Sequence, residues 1–138
     1  MSPALIQIEL TETALIDDVE RAAGNLSMLR EAGVRVALDD FGTGYSSLTY
    51  LNQFAIDTIK IDKSFVDQVA SDRQSAVIVA SVTQLASSLG MGVVAEGVET
   101  EQQQRALIAA GCGALQGYRF GRPMGSIEAR ALLAKAAA

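Results

Sequence analysis

Two periods alternate along this chain. Short apolar runs ending in a polar or glycine residue read as buried strands. Between them lie stretches whose apolar residues recur every three or four positions, the mark of a helix with one buried face. Leu5 to Leu10 (LIQIEL) predicts a first strand carrying Glu9 near its end. A helix is predicted over about Asp17 to Ala32, with Val19, Ala22, Ala23, Leu26 and Leu29 as its stripe and Gly33 just past its end. Val34 to Leu38 predicts the second strand, followed by an Asp-Asp-Gly loop and a short helix near Ser47 to Gln53. Ile59 to Asp62 predicts the third strand.

The next helix is expected to open with a Ser71-x-x-Gln74 capping box and to bury Val77, Ile78, Val82, Leu85, Ala86 and Leu89 before Gly90. Gly92 to Ala95 forms a fourth predicted strand, and Thr100-x-x-Gln103 opens a helix reaching about Ala110, closed by Gly111. Ala114 to Tyr118 predicts a fifth strand; Pro123 precedes a final alanine-rich helix from about Ser126. Strands alternating with helices, with no hairpin signals between them, predict a parallel sheet covered by helices and right-handed crossovers.

Composition narrows the class. A length of 138 residues suits one domain, and a 49% hydrophobic fraction suits a globular one. The net charge of −5 argues against a nucleic-acid polymer or an acidic membrane as partner. No apolar run is long enough to span a bilayer, and the one cysteine, Cys112, forms no internal disulfide; both accord with a cytoplasmic location. Histidine is absent, so a metal site must use oxygen ligands, which favours Mg²⁺ or Mn²⁺.

Candidate chemistry gathers at the strand ends. Glu9, the Asp39–Asp40 pair, Lys60, Glu96 and Gln116 each fall at or near the C-terminal end of a predicted strand. In a β/α barrel those ends line one face, where active sites form. Taken singly, the aspartates could be a solvated turn, Glu9 an edge carboxylate, Lys60 a snorkelling surface lysine, Glu96 a turn cap, and Gln116 a partner for backbone groups. Adjacent carboxylates repel, however, and become favourable together when a cation neutralises them. The set suits metal-assisted phosphoester hydrolysis, in which two cations ~4 Å apart clamp the attacking and leaving oxygens. Asp39 and Asp40 can then lean toward different ions, Lys60 can hold water or neutralise phosphate, and Glu96 can ligate metal or accept a proton. The glycine-punctuated stretch Phe41-Gly42-Thr43-Gly44-Tyr45-Ser46-Ser47 reads as a lid beside the metals, with Glu12 as a candidate anchor.

Five segments in order carry a resemblance: Glu9 to Glu12 (ELTE), Asp39 to Leu48 (DDFGTGYSSL), Ile59 to Val66 (IKIDKSFV), Ala95 to Glu99 (AEGVE) and Gln116 to Tyr118 (QGY). Together they resemble the EAL-domain phosphodiesterases that linearise the bacterial second messenger cyclic di-GMP. The resemblance implies a TIM-type (β/α) barrel and Mg²⁺- or Mn²⁺-dependent cleavage to linear pGpG. By motif position it implies Glu9, Asp39, Asp40 and Glu96 as metal ligands, with Glu96 also the proposed base. Lys60 corresponds to the catalytic lysine, Glu12 to the glutamate that holds the lid, and Gln116 to a residue near substrate. The family's name-giving Glu-Ala-Leu strand and an Asn-bearing strand would lie upstream of the segment that opens this sequence. The expectation is therefore the C-terminal portion of a single domain over residues 1–138: an incomplete barrel of about five parallel strands, each followed by a helix, with open sheet edges. A homo-oligomer or a complementary chain is expected to cover those edges. A non-catalytic module that binds cyclic di-GMP or a protein is the alternative.

Overall fold

The computed structural model describes residues 2–11, 19–42, 51 and 54–136. Among them a 3₁₀ turn, Pro3–Leu5, leads into five strands: β1 Gln7–Thr11, β2 Arg35–Phe41, β3 Thr58–Ile61, β4 Gly92–Ala95 and β5 Ala114–Leu115. The helices are α1 Val19–Glu31, α2 Lys63–Gln68, α3 Arg73–Ser88, α4 Glu101–Ala109 and α5 Ser126–Ala136. All strand pairs are parallel and the sheet order is β1-β2-β3-β4-β5, so β1 and β5 are its edges. Sequential order in a parallel sheet is that of a barrel wall, as expected.

Register assigns the two faces. Leu10, Leu38, Ile59 and Val93 stand in one cross-strand row. With Val36, Ile61 and Ala95, which share that face by the two-residue repeat, they form the side packed against helices. Leu26 of α1, Val66 of α2, Val79, Val82 and Ala86 of α3 and Leu107 of α4 close the core from outside. The opposite face is open at its β1 edge, where Gln7, Glu9 and Thr11 are exposed.

Local signals set most boundaries. Gly33, at φ +89°, ends α1: its N–H donates to the Arg30 carbonyl and that of Val34 to the Leu29 carbonyl, satisfying two of the helix's last acceptors. At α4, Thr100 accepts from the Gln103 N–H while the Gln103 side chain accepts from the backbone of Glu99 and Thr100, the predicted capping box.

Several boundaries differ from expectation. The first strand starts two residues later than predicted, because the 3₁₀ turn takes Pro3–Leu5. β2 runs on through both aspartates to Phe41 instead of stopping at Leu38. An unpredicted helix, α2, follows β3, started by Asp62, whose carboxylate accepts from the Ser64 N–H. At α3 the cap is Asp72, accepting from the Ser75 N–H and hydroxyl, and not Ser71. A carboxylate one position closer to the helix outcompetes the hydroxyl. The buried stripe of α3 is Ser75, Val79, Val82, Thr83 and Ala86, which leaves Val77 and Leu89 exposed. β5 is only two residues long. The predicted helix near Ser47 to Gln53 lies outside the described residues apart from Leu51, which is helical and buried.

Candidate functional site

The two-residue repeat brings the polar strand-end residues to one face. Glu9 pairs with Ala37 and Thr58 with Gly92; Asp39 and Lys60 follow two residues after Ala37 and Thr58 on the same side. Glu96 and Gln116 stand two residues beyond Val94 and Ala114, which pair with each other. Five residues, from Glu9 to Gln116, thus line the C-terminal end of one sheet face.

Lys60 is the focus. Its ammonium donates to Glu9 Oε2 at 2.6 Å, lies 2.7 Å from Glu96 Oε1, and is 3.5 Å from Asp39 Oδ1. Its side chain is 7% exposed, against 46% for Glu9, 25% for Asp39 and 23% for Glu96. Lys60 is therefore no snorkelling surface lysine. Burial alone would lower its pKa, but hydrogen bonds to Glu9 and Glu96 and the charges of Glu96 and Asp39 outweigh it and hold the pKa above the ordinary value. Lys60 is charged at neutral pH.

The two aspartates are accommodated by a bulge. Leu38 pairs with Ile59 and Phe41 with Ile61, so β2 has one more residue than β3 over this span. Leu38 and Phe41 both reach the core, leaving two residues between them where regular alternation would leave one. Those residues are Asp39 and Asp40, both half-buried. Asp40 adopts φ 56°, a left-handed conformation that aspartate tolerates better than most residues, and its N–H donates to Asp39 Oδ1 at 3.0 Å. Phe41, expected in the lid, is instead a strand residue only 6% exposed. Gly42 follows at φ +96°. Glu12, Thr43, Gly44, Tyr45, Ser46 and Ser47 lie outside the described residues.

Glu96 is placed by its N–H, which donates to the Ile61 carbonyl at 3.1 Å. The Gln116 N–H donates to the Ala95 carbonyl, and the Gln116 carbonyl accepts from the Val98 N–H. A cleft of about 320 Å³ opens beside Glu96, walled by Gln116, Gly117, Tyr118, Glu99 and Lys63. Lys63 bonds Asp67 at 2.6 Å and approaches Glu99 to 3.1 Å. This second acid–base pair was missed in the sequence, although its position just after β3 and β4 was the available signal.

The donor set fits a divalent cation in kind. Glu9, Asp39, Asp40 and Glu96 supply oxygen only, and Lys60 offsets one of their four charges. Among the described residues no three carboxylates stand close enough around one point to hold a metal ion; the ammonium of Lys60 occupies their midst.

Comparison with known proteins identifies the family. The family model for the EAL domain matches residues 1–123. The cyclic di-GMP phosphodiesterase RocR of Pseudomonas aeruginosa is 43% identical over 124 residues, covering 90% of this chain and 32% of RocR. The structure of PaMucR phosphodiesterase in complex with c-di-GMP superposes with a TM-score of 0.88 at 40% identity, covering 94% of this chain and 52% of that one. A manganese/cyclic di-GMP complex of Klebsiella pneumoniae BlrP1 gives a TM-score of 0.84 at 41% identity, over 89% of this chain and 31% of the other. Across the curated relatives compared, the chain spans 15% to 32% of their length. With the family model matching residues 1–123 of its 138, this chain belongs to the EAL-domain family.

Proposed function

We propose that residues 1–138 are the C-terminal portion of a single EAL domain that hydrolyses cyclic di-GMP to linear pGpG with Mg²⁺ or Mn²⁺, in bacterial second-messenger signalling in the cytoplasm. The observation that carries this reading is the convergence of Glu9, Asp39 and Glu96 on the buried Lys60 at the C-terminal end of the sheet. Glu9, Asp39, Asp40 and Glu96 would hold the metal. When bound, such an ion polarises a phosphoryl oxygen and acidifies a bound water.

The chain's own residues divide the remaining work. Lys60, charged and hydrogen-bonded to two carboxylates, orients them and presents a cation for a phosphate oxygen or a water. Glu96 engages Lys60 through Oε1, which leaves Oε2 to accept a proton. Gln116 in the adjoining cleft faces bound substrate. Glu12 and residues 41–46 are the lid of this proposal, with Phe41 as its buried root.

The test is turnover. Purified chain with Mg²⁺ or Mn²⁺ should convert cyclic di-GMP to pGpG, chelation should abolish conversion, and Glu96→Ala should reduce it by at least about a hundredfold. No turnover above the Glu96→Ala control would sink the catalytic reading. One observation favours a second reading, a non-catalytic cyclic di-GMP-binding module: among the described residues no three carboxylates gather around one point, the Lys60 ammonium standing between them. That reading predicts calorimetric binding without turnover. In both, a second copy or a complementary chain covers the β1 and β5 edges.

A further inference from the structure

We propose that Asp57 is a positioning residue for Lys60: from the opposite end of the sheet, its carboxylate fixes how far β3 is drawn along β2. Its consequence for turnover rests on the phosphodiesterase reading above; its consequence for geometry does not.

β3 has little of its own to fix that offset. It is four residues long, and its ladder to β2 is interrupted by the bulge between Leu38 and Phe41. Its apolar alternation, with Ile59 and Ile61 buried against the helices, decides which side chains face the site. Alternation is indifferent to a slip of two residues. Such a slip returns every side chain to its own face and carries Lys60 roughly 6.6 Å along the sheet. The ammonium would then leave Glu9 Oε2 and Glu96 Oε1, which stand 2.6 and 2.7 Å from it. Something beyond the pattern must hold the offset.

Asp57 meets that need. It stands one position before β3, and both polar backbone groups of the fully buried Val36 bond to it. The Asp57 N–H donates to the Val36 carbonyl at 2.8 Å, and the Val36 N–H donates to Asp57 Oδ2 at 2.8 Å. The Asp57 carbonyl accepts from the Gly92 N–H at 2.9 Å, which ties in the start of β4. One residue thus joins β2, β3 and β4 just ahead of the Ala37–Thr58 and Thr58–Gly92 pairs. Lys60 follows at a distance that the extended strand sets.

The side-chain bond is the part specific to this register. A two-residue slip puts Ala55 or Ile59 in the place of Asp57, and neither side chain offers an acceptor to the buried Val36 N–H. Oδ1 contributes less: it lies 3.9 Å from the Arg30 guanidinium, whose side chain is 56% exposed. The clamp uses the position of an acceptor, not its charge.

That distinction sets the test. Asp57→Asn keeps an acceptor at the same reach without the charge, Asp57→Glu keeps the charge but carries its oxygens one methylene farther, and Asp57→Ala removes both. The whole chain, free of metal, is followed by ¹⁵N NMR of the Lys60 ammonium, assigned through its loss in Lys60→Met. Asp57→Asn should keep the native signal. Asp57→Glu and Asp57→Ala should shift or lose it, while the Gln103 N–H of the α4 capping box stays protected from exchange and reports an intact fold. With Mg²⁺ and cyclic di-GMP, those two variants should lose roughly a hundredfold in kcat, the scale of a small misplacement transmitted from a distance. Asp57→Asn should stay close to native. A native Lys60 signal in both Asp57→Glu and Asp57→Ala overturns the proposal. So does loss of the signal in Asp57→Asn with retention in Asp57→Glu, which would assign the effect to the charge pair with Arg30. Where Asp57→Ala does not fold, the contrast between Asp57→Asn and Asp57→Glu decides. Absence of turnover in the native chain counts against the phosphodiesterase reading alone, since the ammonium signal judges the positioning role by itself.

Discussion

Lys60 illustrates how one buried charge organises its neighbours. Two carboxylate oxygens within 2.7 Å and a third at 3.5 Å leave its ammonium well partnered despite 7% exposure. The partners need it as much as it needs them, because without it Glu9, Asp39 and Glu96 face one another with no cation between. Lys60→Met should destabilise the fold by about 2 kcal/mol, the scale of lost hydrogen bonds to charged groups. The cost stays below that of breaking a fully buried pair because Glu9 is half-exposed and can turn to water. Urea denaturation measures it, and a difference under about 0.5 kcal/mol would mean that the cluster adds nothing to stability. The Asp39–Asp40 bulge belongs to the same scale: one extra strand residue gives two carboxylates where strict alternation allows one.

At the scale of elements, capping decides where helices begin. Asp72 holds the first turn of α3 through the Ser75 backbone N–H and then its hydroxyl, and these bonds lower its pKa from the ordinary aspartate value. A lowered folded-state pKa means stability that is present above the unfolded pKa and lost as pH falls through the folded one. Asp72→Ala should therefore lower the melting temperature at about pH 7, and the difference from native should shrink as pH falls through the lowered folded-state pKa of Asp72. Ser71→Ala should change little across that range. Equal effects of the two substitutions would contradict the cap assignment. The helix positions of α1 and α4 were legible in the sequence because their caps, Gly33 and the Thr100–Gln103 box, have no close rival. The start of α3 was not, since Ser71 and Asp72 both offer acceptors and only the packed orientation of the helix separates them.

At the scale of the whole molecule, the parallel sheet ends, among the described residues, in two unpaired edges, and its site face is exposed at β1. α5 adds to this uncovered surface, with Ile127 84% and Leu133 68% exposed. Edges and apolar helix faces of this kind favour association. Sedimentation velocity at rising concentration should show a mass above that of the 138-residue monomer, or a shift to one on addition of a complementary EAL-domain segment. A monomer with a cooperative melt at every concentration, unchanged by that segment, would count against edge closure by a partner. No helix among the described residues is long and apolar enough to cross a membrane, so α5 is not read as a span.

Periodicity, caps and glycines act over a few neighbouring residues, and so the strand–helix alternation and the strand-end placement of Glu9, Asp39, Lys60, Glu96 and Gln116 could be read directly from the chain. Contacts between distant strands could not. The Lys60–Glu9 bond joins residues 51 positions apart, and its existence depends on the register of β1, β2 and β3 together. The same register creates the bulge that seats Asp39 and Asp40 and draws Phe41 from the expected lid into the core, while β5 stops after two residues, where its loop folds back onto Val98. These features are settled by which surfaces meet when the sheet assembles, and no window of sequence contains both partners.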